Sequence, residues 1–591
     1  MPFGGSNNAW SNPSTPSSSR PTSPFGPSAT ALPLLAPISS SSVLHRRPES
    51  LVPDVEYVVD DDDLHDLRPG ESLDKFQGLK SLTMRSIGDV ATLFFLLLAL
   101  VAVFVAAPVV TWYGGTNAGH GGRASGYNLG GINGSGQYPA IGNWATMIDA
   151  DTPQSAYQIK GQDGDTWQLV FSDEFNKDGR TFYPGDDPFF EAVDIHYWAT
   201  NDFEWYDPSA ATTKDGHLLL TITQENIHDL NFKSGMIQSW NKLCFFRNAH
   251  IEVSLSLPGV NNVAGFWPGV WTMGNLGRPG YGASTEGTWP YTYSSCDVGI
   301  LPNQTYTNGT GPEAALTSGA GGTSLSYLPG QRLSACTCQG EDHPGPSVEV
   351  GRGAVEIDMI EAQILIDQQV GQVSQSFQLA PFDDFYHFQN TSTDAPRNDE
   401  TITTFNTYTG GVLQQAASAL TTIDSAVYHD TSGEFRQFSV EWSADLDNHK
   451  DGYISWGSQG KESWTLHQSA IGANKNVEIG PRLIAEEPMA LIFNLGMSNN
   501  FENVDFSHMT FPNYLRIDYI RIWQKSTGSI TCDPPERPTK DYINRHENAY
   551  TNANYSTWEA AGEPSRARFK GVPMLIASIG YKFPKNSLTG C

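Results

Sequence analysis

Basic residues are scarce in this chain of 591 residues: 35 Lys and Arg stand against 64 Asp and Glu, a formal net charge of −29. Such an excess repels phosphate backbones, so nucleic acid is excluded as a partner, while a neutral substrate is not. Long amphipathic helical repeats are absent, which argues against a helical bundle. The 14 histidines form no H-x-x-x-H pair and the cysteines no C-x-x-C pair, so neither a metal nor a cofactor is expected. There is no G-x-S-x-G nucleophile elbow. The stretch GNLGRPGYG, residues 274 to 282, lacks the Lys-Ser/Thr of a phosphate-binding loop and reads as a plain loop.

What is abundant is glycine, proline and aromatic residues: 57 Gly, 37 Pro, 15 Trp, 23 Tyr and 29 Phe. Turns and aromatic surfaces are the consequence, and an all-β body with irregular ends is the first expectation. One segment departs from it. VATLFFLLLALVAVFVAAPVV, residues 90 to 110, carries no charge and is long enough to cross about 30 Å of hydrocarbon as a helix. It reads as a transmembrane signal anchor rather than a secretory leader, which is shorter and sits nearer the N-terminus. Lys75, Lys80 and Arg85 precede it and the next basic residue is Arg123, so the positive-inside rule places the N-terminus in the cytosol. A single-pass type II protein of the secretory pathway is expected, its C-terminal domain luminal or extracellular.

The ends fit that orientation. Residues 1–85 are rich in Ser, Pro and Gly and then in Asp60 to Asp63, too polar to bury a core, and read as a disordered cytosolic tail. Its acidic run reads as a solvated stretch, with sorting or adaptor proteins as the candidate cytosolic partners. Residues 111–160 read as a Gly-rich luminal stalk. All six cysteines, Cys244, Cys296, Cys336, Cys338, Cys532 and Cys591, follow the apolar run, as disulfides in an oxidising compartment would require. Their pairing is not legible from spacing. The sequons at Asn133, Asn303, Asn308, Asn390 and Asn554 also all follow it, and N-glycosylation is expected there.

From 161 to 530 the pattern is short apolar-alternating runs between turn signals, with a Cys-containing C-terminal extension over 531–591. In HIEVSLSLP, Ile251, Val253, Leu255 and Leu257 share one face while Glu252, Ser254 and Ser256 share the other. That is period two, a half-buried strand. FRQFSVEW (435 to 442) and YLRIDYIRIWQ (514 to 524) repeat it. Many such strands with long Gly/Pro-rich connections predict a β-sandwich, a jelly roll.

Within this body, GAVEIDMIEAQ (353 to 363) crowds Glu356, Asp358 and Glu361 among Val355, Ile357, Met359 and Ile360. A regular strand would bury Glu361, at a cost of several kcal/mol for an unpaired carboxylate. One extra residue between Asp358 and Glu361, with Ile360 out of register, returns Glu361 to the face of the other two acids. Paired carboxylates on one sheet face suit retaining glycoside chemistry, in which one attacks the anomeric carbon and the other protonates the leaving oxygen. An exposed acidic patch and a calcium site are the alternatives; calcium ligands usually come from a loop. Aromatic rings that stack on sugar faces are sought in Trp205, Trp240, Trp267 and Trp271, and hydroxyl partners in Asn201 and Gln238.

EIDMIE resembles the bulged E-x-D-x-x-E signature of glycoside hydrolase family 16, the laminarinase-like enzymes of concanavalin-type jelly-roll fold. More narrowly, LVFSDEF, SGMIQSWNKLCF, GFWPGVWTMGNLGRPGYG, GTWPYTYSSCDVG, ACTCQGEDHPGP, EEPMALIFNLGMS and TCDPPERPTKDYIN resemble the fungal β-1,6-glucan synthesis-associated membrane proteins. The resemblance implies Glu356 as nucleophile, Asp358 as assisting acid and Glu361 as general acid/base, acting on a β-glucan by retention. It implies a membrane-anchored β-glucan hydrolase or transglycosylase of cell-wall β-1,6-glucan biosynthesis. The alternatives are a glucan-binding scaffold without chemistry and an assembly factor for wall glucan synthesis. The segment 278–351 is expected to build subsites around the cleft. One segment, EPSRARFKGVPMLIASIG over 563–580, interrupts the resemblance by a whole number of codons after a Gly-Glu step that GGTGAG can encode. A retained intron is the expectation, and a genuine loop the alternative.

Overall fold

Strands here are built by alternation; most stack into two antiparallel sheets, and Ile195–His196, Glu204–Tyr206 and Phe232–Ser234 form a third, small one. The computed structural model describes residues 146–562 and 581–591, with Thr92, Leu93 and Leu97 in helical backbone. The expected cytosolic tail, the rest of the apolar run, Asn133, the first part of the expected stalk and the segment 563–580 lie outside the described residues. Among the described residues, no helix is long and apolar enough to cross a membrane. Everything below belongs to the unit Leu97–Cys591.

The outer sheet runs Gln158–Lys160, Thr166–Asp173, Asn513–Gln524, Asn248–Ser256, Arg436–Ser443, Tyr453–Ser458 and Lys461–His467, with His217–Ile222 also on Asn513–Gln524. The inner sheet runs Thr403–Phe405, Gln414–Thr422, Val370–Leu379, Glu356–Leu365, Trp267–Gly274, Met489–Gly496, Cys244–Phe246 and Ser529–Ile530. Their facing sides share one core. Ile251, Val253, Leu255, Phe438, Val440 and Ile520 come from the outer sheet, Val270, Ile357, Met359, Ile360, Phe377 and Leu491 from the inner. Each such side chain contributes about 1.5–3 kcal/mol of hydrophobic stabilisation. The all-β, jelly-roll-like sandwich expected from period-two patterning is the observed fold.

The body begins before 161, because Gln158–Lys160 pairs with Thr166–Gln168 and Trp523 Nε1 donates to Ala156 O at 2.6 Å. Nor is the C-terminal extension a separate appendage. Tyr542, Tyr550 and Trp558 pack on Leu276, Ala283 and Leu333 of the long connection 275–355. Disulfide Cys244–Cys532 fastens the extension to the sandwich, Cys338–Cys591 ties its end to the connection, and Cys296–Cys336 closes a loop within the connection. Cys336 and Cys338, one residue apart, thus point to different partners.

Candidate active site

The acid strand pairs with two neighbours, and both pairings break at the same place. Against Trp267–Gly274, Trp271 sits opposite Asp358 and Val270 opposite Ile360, so Met359 has no partner. Against Val370–Leu379, Asp358 faces Ser376 and Glu361 faces Ser374, so Met359 and Ile360 share Gln375. The bulge expected between Asp358 and Glu361 is present. The unmatched residue is Met359 rather than Ile360, and both are buried, at 1% and 0% exposure. Two consecutive apolar residues face the core, and Glu361 is thereby turned to the cleft with Glu356 and Asp358.

Each carboxylate has its own donor. Trp289 Nε1 donates to Glu356 Oε2 at 2.8 Å, Gln378 Nε2 to Asp358 Oδ2 at 3.0 Å, and Trp267 Nε1 to Glu361 Oε1 at 3.0 Å. Crowding and burial push all three carboxyls above their ordinary range: desolvation acts first, then Glu361 on Glu356, Glu356 on Asp358, and Asp358 on Glu361. The hydrogen bond between Glu356 and Asp358 divides the pair, lowering Glu356 and raising Asp358. Asp358 therefore keeps the proton and Glu356 takes the charge first. The strand itself is anchored just upstream, where buried Arg352 meets Glu487 through Nε and Nη2, each at 2.7 Å.

The cleft walls come from several elements. Trp271 Nε1 donates to Asn494 Oδ1 at 2.9 Å, Asn494 Nδ2 to Tyr206 OH at 3.2 Å, and Tyr206 OH to Asp202 Oδ2 at 3.1 Å. Burial raises Asp202 to about 6. Trp267 stacks on Phe501 with centroids 4.4 Å apart. A side chain at Gly269 would lie 2.7 Å from Asn494 Oδ1, so any larger residue there would displace the amide that Trp271 holds. Tyr197, Thr285, Trp289, Gln378, Leu413 and Gln414 also line the cleft. Thr285 and Trp289 come from the connection 275–355, as expected of a segment that shapes the cleft.

Of the six sugar-contact candidates, Trp267 and Trp271 line the cleft. The other four do not, each for a local reason. Asn201 is an exposed left-handed residue that ends a 3-10 turn. Trp205 donates to Asp194 at 2.7 Å and lies against His228 with the rings tilted by 36°. Gln238 is buried with its amide oxygen turned to accept from Arg278 Nε and Nη2 at 3.1 and 3.2 Å. Trp240 donates to Asn275 O at 3.0 Å and stacks on Tyr550 of the extension. Sequence reasoning missed Trp289, Gln378 and Asn494. Gln378 carries the only available signal: in VGQVSQSFQL, Gln372, Ser374, Ser376 and Gln378 alternate on one face. Asn303, Asn308, Asn390 and Asn554 are exposed, as a glycan acceptor must be.

The family described as "Beta-glucan synthesis-associated protein SKN1/KRE6/Sbg1" matches residues 53–591. Beta-glucan synthesis-associated protein KRE6 of Saccharomyces cerevisiae (strain ATCC 204508 / S288c) is 43% identical over 547 residues, 90% of this chain and 68% of that one. SKN1 of the same yeast is 43% identical over 556 residues, 90% of this chain and 65% of that one. The chain thus spans about two thirds of these relatives' own length. Among solved structures, the catalytic domain of an endo-1,3-beta-glucanase (laminarinase) from Thermotoga petrophila RKU-1 aligns at 18% identity and a TM-score of 0.35, over 61% of this chain and 99% of that one. A likeness that low carries nothing about activity. The sequence matches suffice by themselves: the chain belongs to the beta-glucan synthesis-associated SKN1/KRE6/Sbg1 family.

Proposed function

We propose that the chain is a retaining β-glucan hydrolase or transglycosylase, anchored in a secretory-pathway membrane by residues 90 to 110, that acts in cell-wall β-1,6-glucan assembly. The observation that carries the reading is the convergence of Glu356, Asp358 and Glu361 on one aromatic-walled cleft, each with a separate hydrogen-bond donor. Glu356, ionised, attacks the anomeric carbon while protonated Glu361 delivers its proton to the departing glycosidic oxygen. An ester of Glu356 with the sugar forms and the glycosidic bond breaks. Glu361, now a carboxylate, then takes a proton from water or from a sugar hydroxyl, and that oxygen displaces Glu356. Water gives hydrolysis and a sugar gives transfer. Asp358 keeps its proton throughout and holds the Glu356 carboxylate through it.

Names of the relatives support a role in glucan synthesis, and the exposed sequons and disulfides support a luminal or extracellular body. The test is Glu356→Gln and Glu361→Gln, made separately in the full chain, with turnover of β-linked oligosaccharides followed by NMR of the product anomer. Glu361→Gln is expected to lose about 10²–10⁴-fold in rate, the usual worth of a general acid, and Glu356→Gln more. Products of wild type are expected to keep the β-configuration. Inverted product overturns the mechanism, and full rescue of wall glucan by both inactive variants overturns the enzymatic reading in favour of a scaffold.

A further inference from the structure

The acids sit in the middle of the inner sheet, and a chain lying across its strands leaves them in two directions. One direction leads over Trp271 and Asn494. The other passes Gln378 and reaches Leu413 and Gln414, which line the cleft, at the turn that precedes the Gln414–Thr422 strand. Beyond that point the surface is aromatic. Tyr408 is 52% exposed, Leu413 51% and Tyr327 57%. About half of each of these side chains is left open to solvent.

Two hydrogen bonds join these residues to the site and to each other. Burial, and after it the charge of Glu361, also hold the Tyr408 hydroxyl above its ordinary range. Gln414 Nε2 donates to Tyr408 OH at 3.3 Å. Tyr327 N donates to Val412 O at 2.8 Å, so the connection 275–355 grips the hairpin that carries Leu413. That hairpin is itself fixed in shape. Gly410, at φ +142°, would place a side chain 2.6 Å from Gln414 O, so the turn cannot be built with another residue without displacement.

We propose that Tyr408 and Tyr327, with Leu413 between cleft and rim, form an outer stacking platform that holds β-glucan chains too long for the cleft alone. The inference rests on the reading that the cleft binds β-glucan and adds a chain-length selector to it. Sugar rings present C–H faces that stack on tyrosine, and the Tyr408 and Gln414 polar atoms offer hydroxyl partners. The platform places the longer arm of the polymer on the connection 275–355 rather than in solvent.

Tyr327→Ala, Tyr408→Ala, the double variant and Tyr327→Phe are compared in the full chain on a trisaccharide and on a soluble β-glucan polymer. Tyr327→Ala is expected to raise KM for the polymer about two- to tenfold with kcat and KM for the trisaccharide unchanged and Tyr327→Phe close to wild type, while Tyr408→Ala, beside Glu361 and Gln414, is expected to raise KM for the polymer more than for the trisaccharide and the double variant to raise it further. Equal effects on both substrates, or none on the polymer, overturn the platform. Polymer retardation in affinity gels is measured in parallel with Glu356→Gln as the parent. If wild type turns nothing over but the parent is retarded and the alanines weaken that retardation, the platform stands and the enzymatic reading falls. If turnover is present and retardation is equal in every variant, only the platform falls. A protein that the polymer never retards overturns both.

Discussion

Asp358 is the residue on which charge and stability meet. It is 2% exposed, and burial and the neighbouring Glu356 oppose its ionisation. A carboxyl raised above its ordinary value of 3.8 binds more protons in the folded chain than in the unfolded one. Between that value and its raised one, stability falls as pH rises. Asparagine at 358 keeps an oxygen for Gln378 and an N–H for Glu356 but cannot ionise. Asp358→Asn is therefore expected to raise Tm by about 2–4 °C at pH 8, to leave it unchanged at pH 3, and to lose most turnover. A melting series across pH checks it, and a variant less stable at pH 8 would show that the buried site tolerates the charge. At this scale the sequence was legible for the acids because their alternation breaks with the core pattern. It was not legible for their partners. Trp267 and Trp240 look alike as residues, yet one reaches Glu361 and the other packs on Tyr550. The difference lies in which distant segment arrives opposite each.

The strand Glu356–Leu365 is where a single extra residue decides which face is polar. Because Met359 alone has no partner on Trp267–Gly274, its removal leaves a regular alternation: Ile357 in, Asp358 out, Ile360 in, Glu361 out. Register on Val370–Leu379 then also becomes regular, with one residue opposite Gln375. Deletion of Met359 is thus expected to fold, with a loss of about 2–5 kcal/mol for the missing core side chain. Insertion of one alanine after Met359 does the opposite. It turns Glu361 into the core, at several kcal/mol for the carboxylate, and unfolded or insoluble protein is expected. Circular dichroism melts of the two variants separate the cases; an insertion variant as stable as wild type would mean that the strand slips freely. Elements such as this were legible because period two is local. The connection 275–355 was legible only as a long segment, since its cluster of Tyr291, Tyr293, Ile300 and Leu328 closes on Phe382, Val477 and Ile479 from remote parts of the chain.

Across the whole molecule, the C-terminus returns to the connection that walls the cleft, and the flanks of 563–580 show how closely it does so. Gly562 and Tyr581 abut: a methyl group built on Gly562 would fall 2.2 Å from Tyr581 Cβ. Adjacent residues of a chain need only about 3.8 Å between their α-carbons. Tyr581 is already held from both sides, its ring 5.2 Å from Trp558 and 4.8 Å from His546. Further on, Ser587 N donates to Cys336 O at 2.9 Å and Cys338 bonds to Cys591. None of these contacts involves the segment between. Joining Gly562 directly to Tyr581 should therefore leave the packing of Trp558, His546 and Tyr581 in place, and a shorter connection between fixed ends costs slightly less closure entropy. The chain lacking 563–580 is expected to fold with Tm unchanged to about 2 °C and with Cys338 still bonded to Cys591, read by peptide mapping without reductant. A free thiol at Cys338, or a cooperative loss of stability, would mean that the segment is a built part of the fold and that the transcript carrying it is the functional one.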